Sequence, residues 1–85
     1  MAVEHLRNLG PASAQMLREV GIADEAQLRA VGAAAAFARV RFQFGRHATL
    51  HLLWALHGAL NDVDWRALDA ETKARLKREA GLSAK

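Results

Sequence analysis

LHLLWALHGALN, residues 50–61, predicts the central helix of this 85-residue chain. At 100° per residue, the helix has one broad apolar face, which holds Leu52, Leu53, Leu56, Ala59 and Leu60. So much apolar surface has to be buried in a small protein, because removing it from water is favourable by about 25 cal/mol per Å². We therefore expect the leucine face to form the most buried part of the core.

The sequence on both sides of this segment also favours helices. It is rich in Ala, Leu and Arg and poor in β-branched and aromatic residues, which strands prefer. Pro11 suits the first position of a helix, and Asp24, Thr49 and Asp69 are N-cap candidates. Glycines follow the helical patterns, where helices end. The predicted helices are 11–20, 25–31, 33–44, 50–61 and 70–80, with single turns near 3–9 and 64–68.

These signals predict an all-α protein, a compact bundle of five or six short helices. We expect a single domain over residues 1–81 and a frayed C-terminal tail over 82–85, since a chain of this length leaves no room for a second core. The helix over 33–44 turns Phe37, Val40 and Phe44 to one face, and Phe42 points away from that face.

Composition excludes several classes of protein. The chain has no cysteine, so it carries no disulfide and no thiolate metal site. The longest apolar run, Val31 to Ala38, is too short to span a bilayer, and the N-terminus has no secretory segment. The net charge of +3 is spread along the chain, so it favours polyanions only weakly.

LRNLGPASA, residues 6–14, followed by Leu17 and Gly21-Ile22, resembles the helix–hairpin–helix motif. In that motif, backbone N–H groups at the start of the second helix can bind a DNA phosphate. Asn8 stands where the motif has its first glycine, and asparagine tolerates a left-handed backbone. Ala12 stands where the motif has a lysine, so the usual cation is missing. The candidate phosphate contacts are Arg7, Asn8, Gly10, Ala12, Ser13 and Arg18; alternatively, the hairpin only packs helices.

A larger resemblance covers most of the chain. Five blocks in order resemble the C-terminal domain of the TfoX/Sxy family of competence regulators: LRNLGPxS at 6–13, GI at 21–22, LRxxG at 28–32, LLWALHGAL at 52–60 and WRxL at 65–68. The resemblance implies an all-helical, hairpin-containing domain and does not imply an enzyme. We expect a non-enzymatic, cytoplasmic bacterial regulatory or interaction module. In two-domain members of the family an α/β domain precedes this one. This sequence contains no such domain, so we expect a stand-alone C-terminal domain here.

A second stripe of helix 50–61 is a candidate partner patch. Its members recur at spacings of four, three and four residues, and together with the later tryptophan they are Leu50, Trp54, His57, Asn61 and Trp65. Either Trp65 and the chain after it cover the stripe, or a partner does. In the second case Trp54 should dominate the binding energy, as tryptophans at interfaces often do. His57 is expected to be a partly buried, hydrogen-bonded residue, because no nucleophile adjoins it.

No cofactor, metal or small-molecule substrate is expected. His47 and His51 have the i,i+4 spacing that can chelate a metal, but Thr49 caps the helix between them and no carboxylate is near. We expect direct contact with a protein partner, or with a second copy of the chain. Weak, sequence-independent DNA binding through the hairpin is the alternative, and no membrane contact is expected.

Overall fold

The computed structural model describes residues 2–82, which form short helices joined by tight turns. The α-helices in chain order are α1 (Pro11–Glu19), α2 (Glu25–Val31), α3 (Ala33–Phe44), α4 (Leu50–Asn61) and α5 (Ala70–Glu79). One-turn 3₁₀ helices occupy Val3–His5, Gly45–His47 and Trp65–Ala67. Residues 2–82 contain no strand, and their one β-feature is an isolated antiparallel bridge between Ala2 and Asp24. The predicted all-α class is confirmed.

Local caps define where the helices begin. The Asp24 carboxylate accepts a 2.8 Å hydrogen bond from the Gln27 N–H, while the Gln27 side chain accepts one of 2.7 Å from Ala23 N–H. Asp69 likewise accepts from Thr72 N–H at 2.8 Å and starts α5. Thr49 does occupy the N-cap of α4, but its side chain makes no capping hydrogen bond. Two of these three predicted caps therefore act through their side chains.

The end of α5 extends the packed structure by one residue beyond the predicted domain boundary. Leu82 N–H donates to Lys77 O at 2.8 Å, and Gly81 adopts a φ of 78° to allow it. The Leu82 side chain is half-buried against the core. The frayed tail over residues 82–85 stays a prediction: Leu82 makes this closing hydrogen bond, and residues 83–85 lie outside the described part of the chain.

The core forms around α4, as its sequence predicts. Leu53 and Leu56 are fully buried, Leu52 is 4% exposed, and Leu60 at the end of the same face is half-buried. Helix α3 packs more extensively on α4 than any other helix does, and its Phe37 ring is fully buried. The remaining helices each supply at least one buried leucine, namely Leu17, Leu28 and Leu76.

The chain before α1 folds back onto the loop between α1 and α2. Val3 N–H donates to Ala23 O at 3.2 Å, which fixes the turn Val3–His5 beside that loop. Residues 6–10 then lead into α1. The segment before the hairpin loop is therefore one 3₁₀ turn within the described residues, and the segment after it is a full helix.

Candidate functional site

The loop before α1 places a left-handed residue where the motif has its first glycine. Asn8 has a φ of 73°, the left-handed conformation that asparagine tolerates better than most residues. Leu9 N–H closes the turn onto Leu6 O at 3.1 Å, and both leucine side chains are buried. The loop is thus anchored in the core on one side and open to solvent on the other.

The backbone N–H groups at the start of α1 have no capping side chain. Gly10 is the N-cap and has no side chain to accept a hydrogen bond, and Pro11 at the first helical position has no N–H. Ala12 is exposed and Ser13 is half-buried, and no acidic residue lies in this first turn. The arrangement suits an anion, because the positive end of the helix dipole is not neutralised there.

One of the two cations predicted to assist this site lies near a carboxylate, and the other lies in the last turn of α1. Hydrogen bonds from Arg66 hold the pKa of the Asp64 carboxyl far below its usual value, and the nearby Arg7 charge lowers it further. Arg7 therefore interacts electrostatically with the Asp64 carboxylate. Arg18 lies six residues after Ala12, about 9 Å along the helix axis. The hairpin thus offers backbone donors and little concentrated positive charge.

The stripe proposed as a partner patch is largely covered by the chain itself. Trp54 is only 9% exposed, and the Lys73 ammonium of α5 lies 5.7 Å from the centre of its ring. Trp65 is half-buried and packs edge-to-face on the exposed His51, with ring centres 4.4 Å apart. Lys73, in the chain after Trp65, therefore covers part of Trp54, whereas Trp65 itself contacts His51.

The other members of the stripe lie around the covered tryptophan. Leu50 is 41% exposed, and the exposed Asn61 amide donates to His57 O at 2.8 Å within the same helix. His57 is half-buried, and burial lowers the pKa of its imidazole; Arg75 lowers it further, and Glu79 opposes both. Of these residues, Trp54 and His57 lie near charged side chains of α5, whereas Leu50 and Asn61 are exposed.

The most exposed large apolar side chain lies elsewhere, on α3. Phe42 is 93% exposed, although it lies in a helix whose opposite face is buried in the core. It borders an open groove between α1 and α3. We call this region the Phe42 surface; its residues are Glu19, Val20, Ala38, Arg39, Phe42 and Gln43. A second groove adjoins it through Glu19 and is lined by Ala12, Gln15, Met16, Phe44 and His47.

Sequence periodicity predicted part of this surface. Phe42 was predicted to point away from the face that holds Phe37 and Val40. Ala35 and Ala38 are exposed too, and with Phe42 they recur at spacings of three and four, so an apolar stripe runs along the exposed face of α3 beside Arg39 and Arg41. What the sequence did not reveal is that the described part of the chain leaves Phe42 93% exposed.

No cluster with the chemistry of a metal site is found in the described part of the chain. In residues 2–82 no three His, Cys, Asp or Glu side chains gather closely enough to hold an ion. His47 lies in the turn before α4 and His51 inside α4, where it contacts Trp65 instead. None of the helices described over these residues is long and apolar enough to cross a membrane.

Comparisons with known proteins agree with this architecture. Two crystal structures from Listeria monocytogenes, titled as an uncharacterized protein and a protein of unknown function, each match with a TM-score of 0.84 and 31% sequence identity. The matches cover 91% and 94% of this chain and 86% and 99% of theirs. No curated protein matches. The model of the TfoX C-terminal domain matches residues 1–80, and the chain therefore belongs to the TfoX C-terminal domain family.

Proposed function

We propose that this domain is a non-enzymatic regulatory module that acts by direct protein contact through the Phe42 surface. The observation that supports it most is the 93% exposure of Phe42 beside an open groove. A small protein gains nothing in its own stability from a phenylalanine in water, and contiguous exposed apolar surface marks interaction sites. Family membership supports a role in regulating competence for DNA uptake.

The shifted pKa values of the described residues all have local structural causes. These are the hydrogen bonds between Asp64 and Arg66, the hydrogen bonds from Thr72 to Asp69, and burial for His57. None of these groups borders the Phe42 surface.

Photo-crosslinking in the native cell tests this function. A photoreactive phenylalanine analogue replaces Phe42 in one strain and the exposed Ala26 of α2 in a control strain. We expect a protein adduct from position 42 and none from position 26, because a hot-spot side chain lies at the centre of its interface. In a naturally transformable host, Phe42→Ser should lower transformation frequency and Ala26→Ser should not. Equal adducts at both positions, or none, would contradict the proposal.

DNA contact at the hairpin is the second candidate, and the uncapped first turn of α1 is the observation that favours it. Without clustered cations the affinity should be weak, with a dissociation constant of about 10⁻⁴ M or higher at physiological salt. Ala12→Lys should tighten it and steepen its salt dependence, because one more counterion is released. Fluorescence anisotropy at low salt that detects no binding for either version would leave the hairpin with a packing role alone.

A further inference from the structure

The charges on the Phe42 surface complement one another across the groove. Glu19 lines it from α1 and Arg39 lines it from α3. Glu19 accepts one long hydrogen bond, 3.5 Å from the Gln15 amide, and the ion pairs seen among residues 2–82 include neither Glu19 nor Arg39. The surface therefore presents one carboxylate and one guanidinium that are both available to charges of a partner.

The Phe42 surface also combines a projecting ring with a groove, so that two copies of it can fit together. The Phe42 ring projects from α3, and a groove lined by Val20 and Ala38 lies directly beside it. Ala38 and Ala35 are small and exposed on the same stripe of α3, so a second helix can approach closely there. Interfaces with two-fold symmetry need this property, because each patch must contact an identical patch.

A polyanion is a poorer occupant of this groove. Arg39 and the exposed Arg41 and Arg46 lie in the same part of the chain, but the Glu19 carboxylate lines the groove beside the ring. A phosphate chain laid across Phe42 would meet that negative charge. The paired signs of Glu19 and Arg39 match a partner that carries one acid and one base at the same spacing.

We propose that a second copy of this chain docks on the Phe42 surface across a two-fold axis. Each Phe42 ring occupies the groove between Val20 and Ala38 of the other copy, and each Glu19 pairs with Arg39 of the other copy. This inference rests on the proposed function, since it names the protein that the Phe42 surface contacts.

Charge reversal in both directions tests the arrangement. Sedimentation is measured from about 10 µM to about 1 mM, where small interfaces associate. Glu19→Arg and Arg39→Glu should each weaken dimerisation at least about 10-fold, because each places like charges opposite one another. An equimolar mixture of these two variants should restore the dimer, since the two substituted side chains, which have opposite charges, then face each other across the interface. Arg41→Glu, on the same helix outside the groove, is the matched charge control.

Truncation of the ring provides the second measurement. Phe42→Ser should weaken dimerisation at least about 30-fold, the effect of losing a hot spot. Its circular dichroism and melting temperature should match those of the wild type, because the ring makes so little contact with the core. A wild type that stays monomeric at the highest concentration, or a mixture that fails to recover the dimer, overturns the second copy as the partner.

The crosslink at position 42 separates failure of this inference from failure of the proposed function. An adduct of twice the chain mass supports the second copy. An adduct with a different protein, together with a monomeric wild type, overturns the second copy and leaves protein contact standing. A nucleic-acid adduct, or none, contradicts both.

Discussion

The side-chain amide of Asn8 donates a 2.9 Å hydrogen bond to the carbonyl of Val63 and so joins two loops 55 residues apart in sequence. The bond passes directly over Gly58 of α4, where an added Cβ would collide with both the Asn8 nitrogen and the Val63 oxygen. Val63 N–H in turn donates to Gly58 O at 2.9 Å. The hairpin loop is therefore locked to the end of the central helix at a point that only glycine allows.

Gly58→Ala should destabilise the fold strongly. The methyl group would displace Asn8 and Val63, at a cost of about 1–3 kcal/mol for overpacking and about 1 kcal/mol for the lost hydrogen bond. We expect a loss of about 3 kcal/mol in the free energy of unfolding, measured by urea denaturation. Gly10→Ala is the control, because nothing lies within 4 Å of its added Cβ. Equal stability of the two variants would show that the loops can separate at little cost.

Substitutions of Asn8 should separate its backbone role from its side-chain role. Asn8→Gly keeps the left-handed backbone and loses the bond to Val63, so it should cost about 1 kcal/mol. Asn8→Ala loses the bond and also strains the backbone, so it should cost about 2 kcal/mol. Chemical denaturation of both variants measures the order. If Asn8→Gly were as stable as the wild type, the hydrogen bond would contribute nothing.

Leu56→Ala should confirm α4 as the centre of the core. Leu56 is fully buried, so its truncation leaves a cavity and should cost about 2–5 kcal/mol. Leu50→Ala in the same helix is the matched control; Leu50 is 41% exposed, and the change should cost less than about 1 kcal/mol. Thermal and urea unfolding of both variants provide the measurement, and a loss below about 1 kcal/mol at Leu56 would contradict the observed packing.

His57 should make the fold less stable in mild acid. Burial, with help from Arg75 and against Glu79, holds its pKa below the unfolded value of 6.5, so the unfolded state binds the proton first. The stability that the neutral imidazole contributes is complete above about pH 7.5 and is lost as the pH falls through 6.5 towards the folded pKa. The melting temperature should therefore fall as the pH is lowered from 7.5 towards the folded pKa of His57.

His57→Gln should reduce that dependence on pH, because glutamine does not titrate in this range. His47→Gln, at an exposed position in the turn before α4, should leave it unchanged. Melting temperatures of the three proteins at pH 7.5 and 5.5 decide the matter. A fall of the same size in His57→Gln and in the wild type would assign the acid sensitivity to other groups.

The boundaries of the helices follow from local sequence because their signals act over a few residues. Asp24 and Asp69 cap N–H groups only three residues away, and Gly32 and Gly45 adopt positive φ where α2 and α3 end. Thr49 shows the limit of such signals, since it stands at the N-cap of α4 without bonding to it. A cap position can be predicted from sequence, whereas its hydrogen bond depends on the rotamer that the surroundings allow.

The candidate sites were less predictable, because exposure is a property of the whole fold. By periodicity, Trp54 lies on the second stripe of its helix and Phe42 points away from the buried face of α3. Among residues 2–82, Lys73 lies over Trp54, whereas Phe42 is 93% exposed. The choice between the two rings depends on where α5 packs, which periodicity within α3 or α4 does not specify.

The sequence by itself determined the all-α class, the helix ends and the leucine face of α4, because each depends on residues within one or two helical turns. The tertiary structure alone decided the lock of Asn8 on Val63 over Gly58, the burial of Trp54 and the exposure of Phe42. These features join or leave apart segments distant in sequence, and their energy comes from packing between elements. Such packing is fixed only when the five helices assemble around one core.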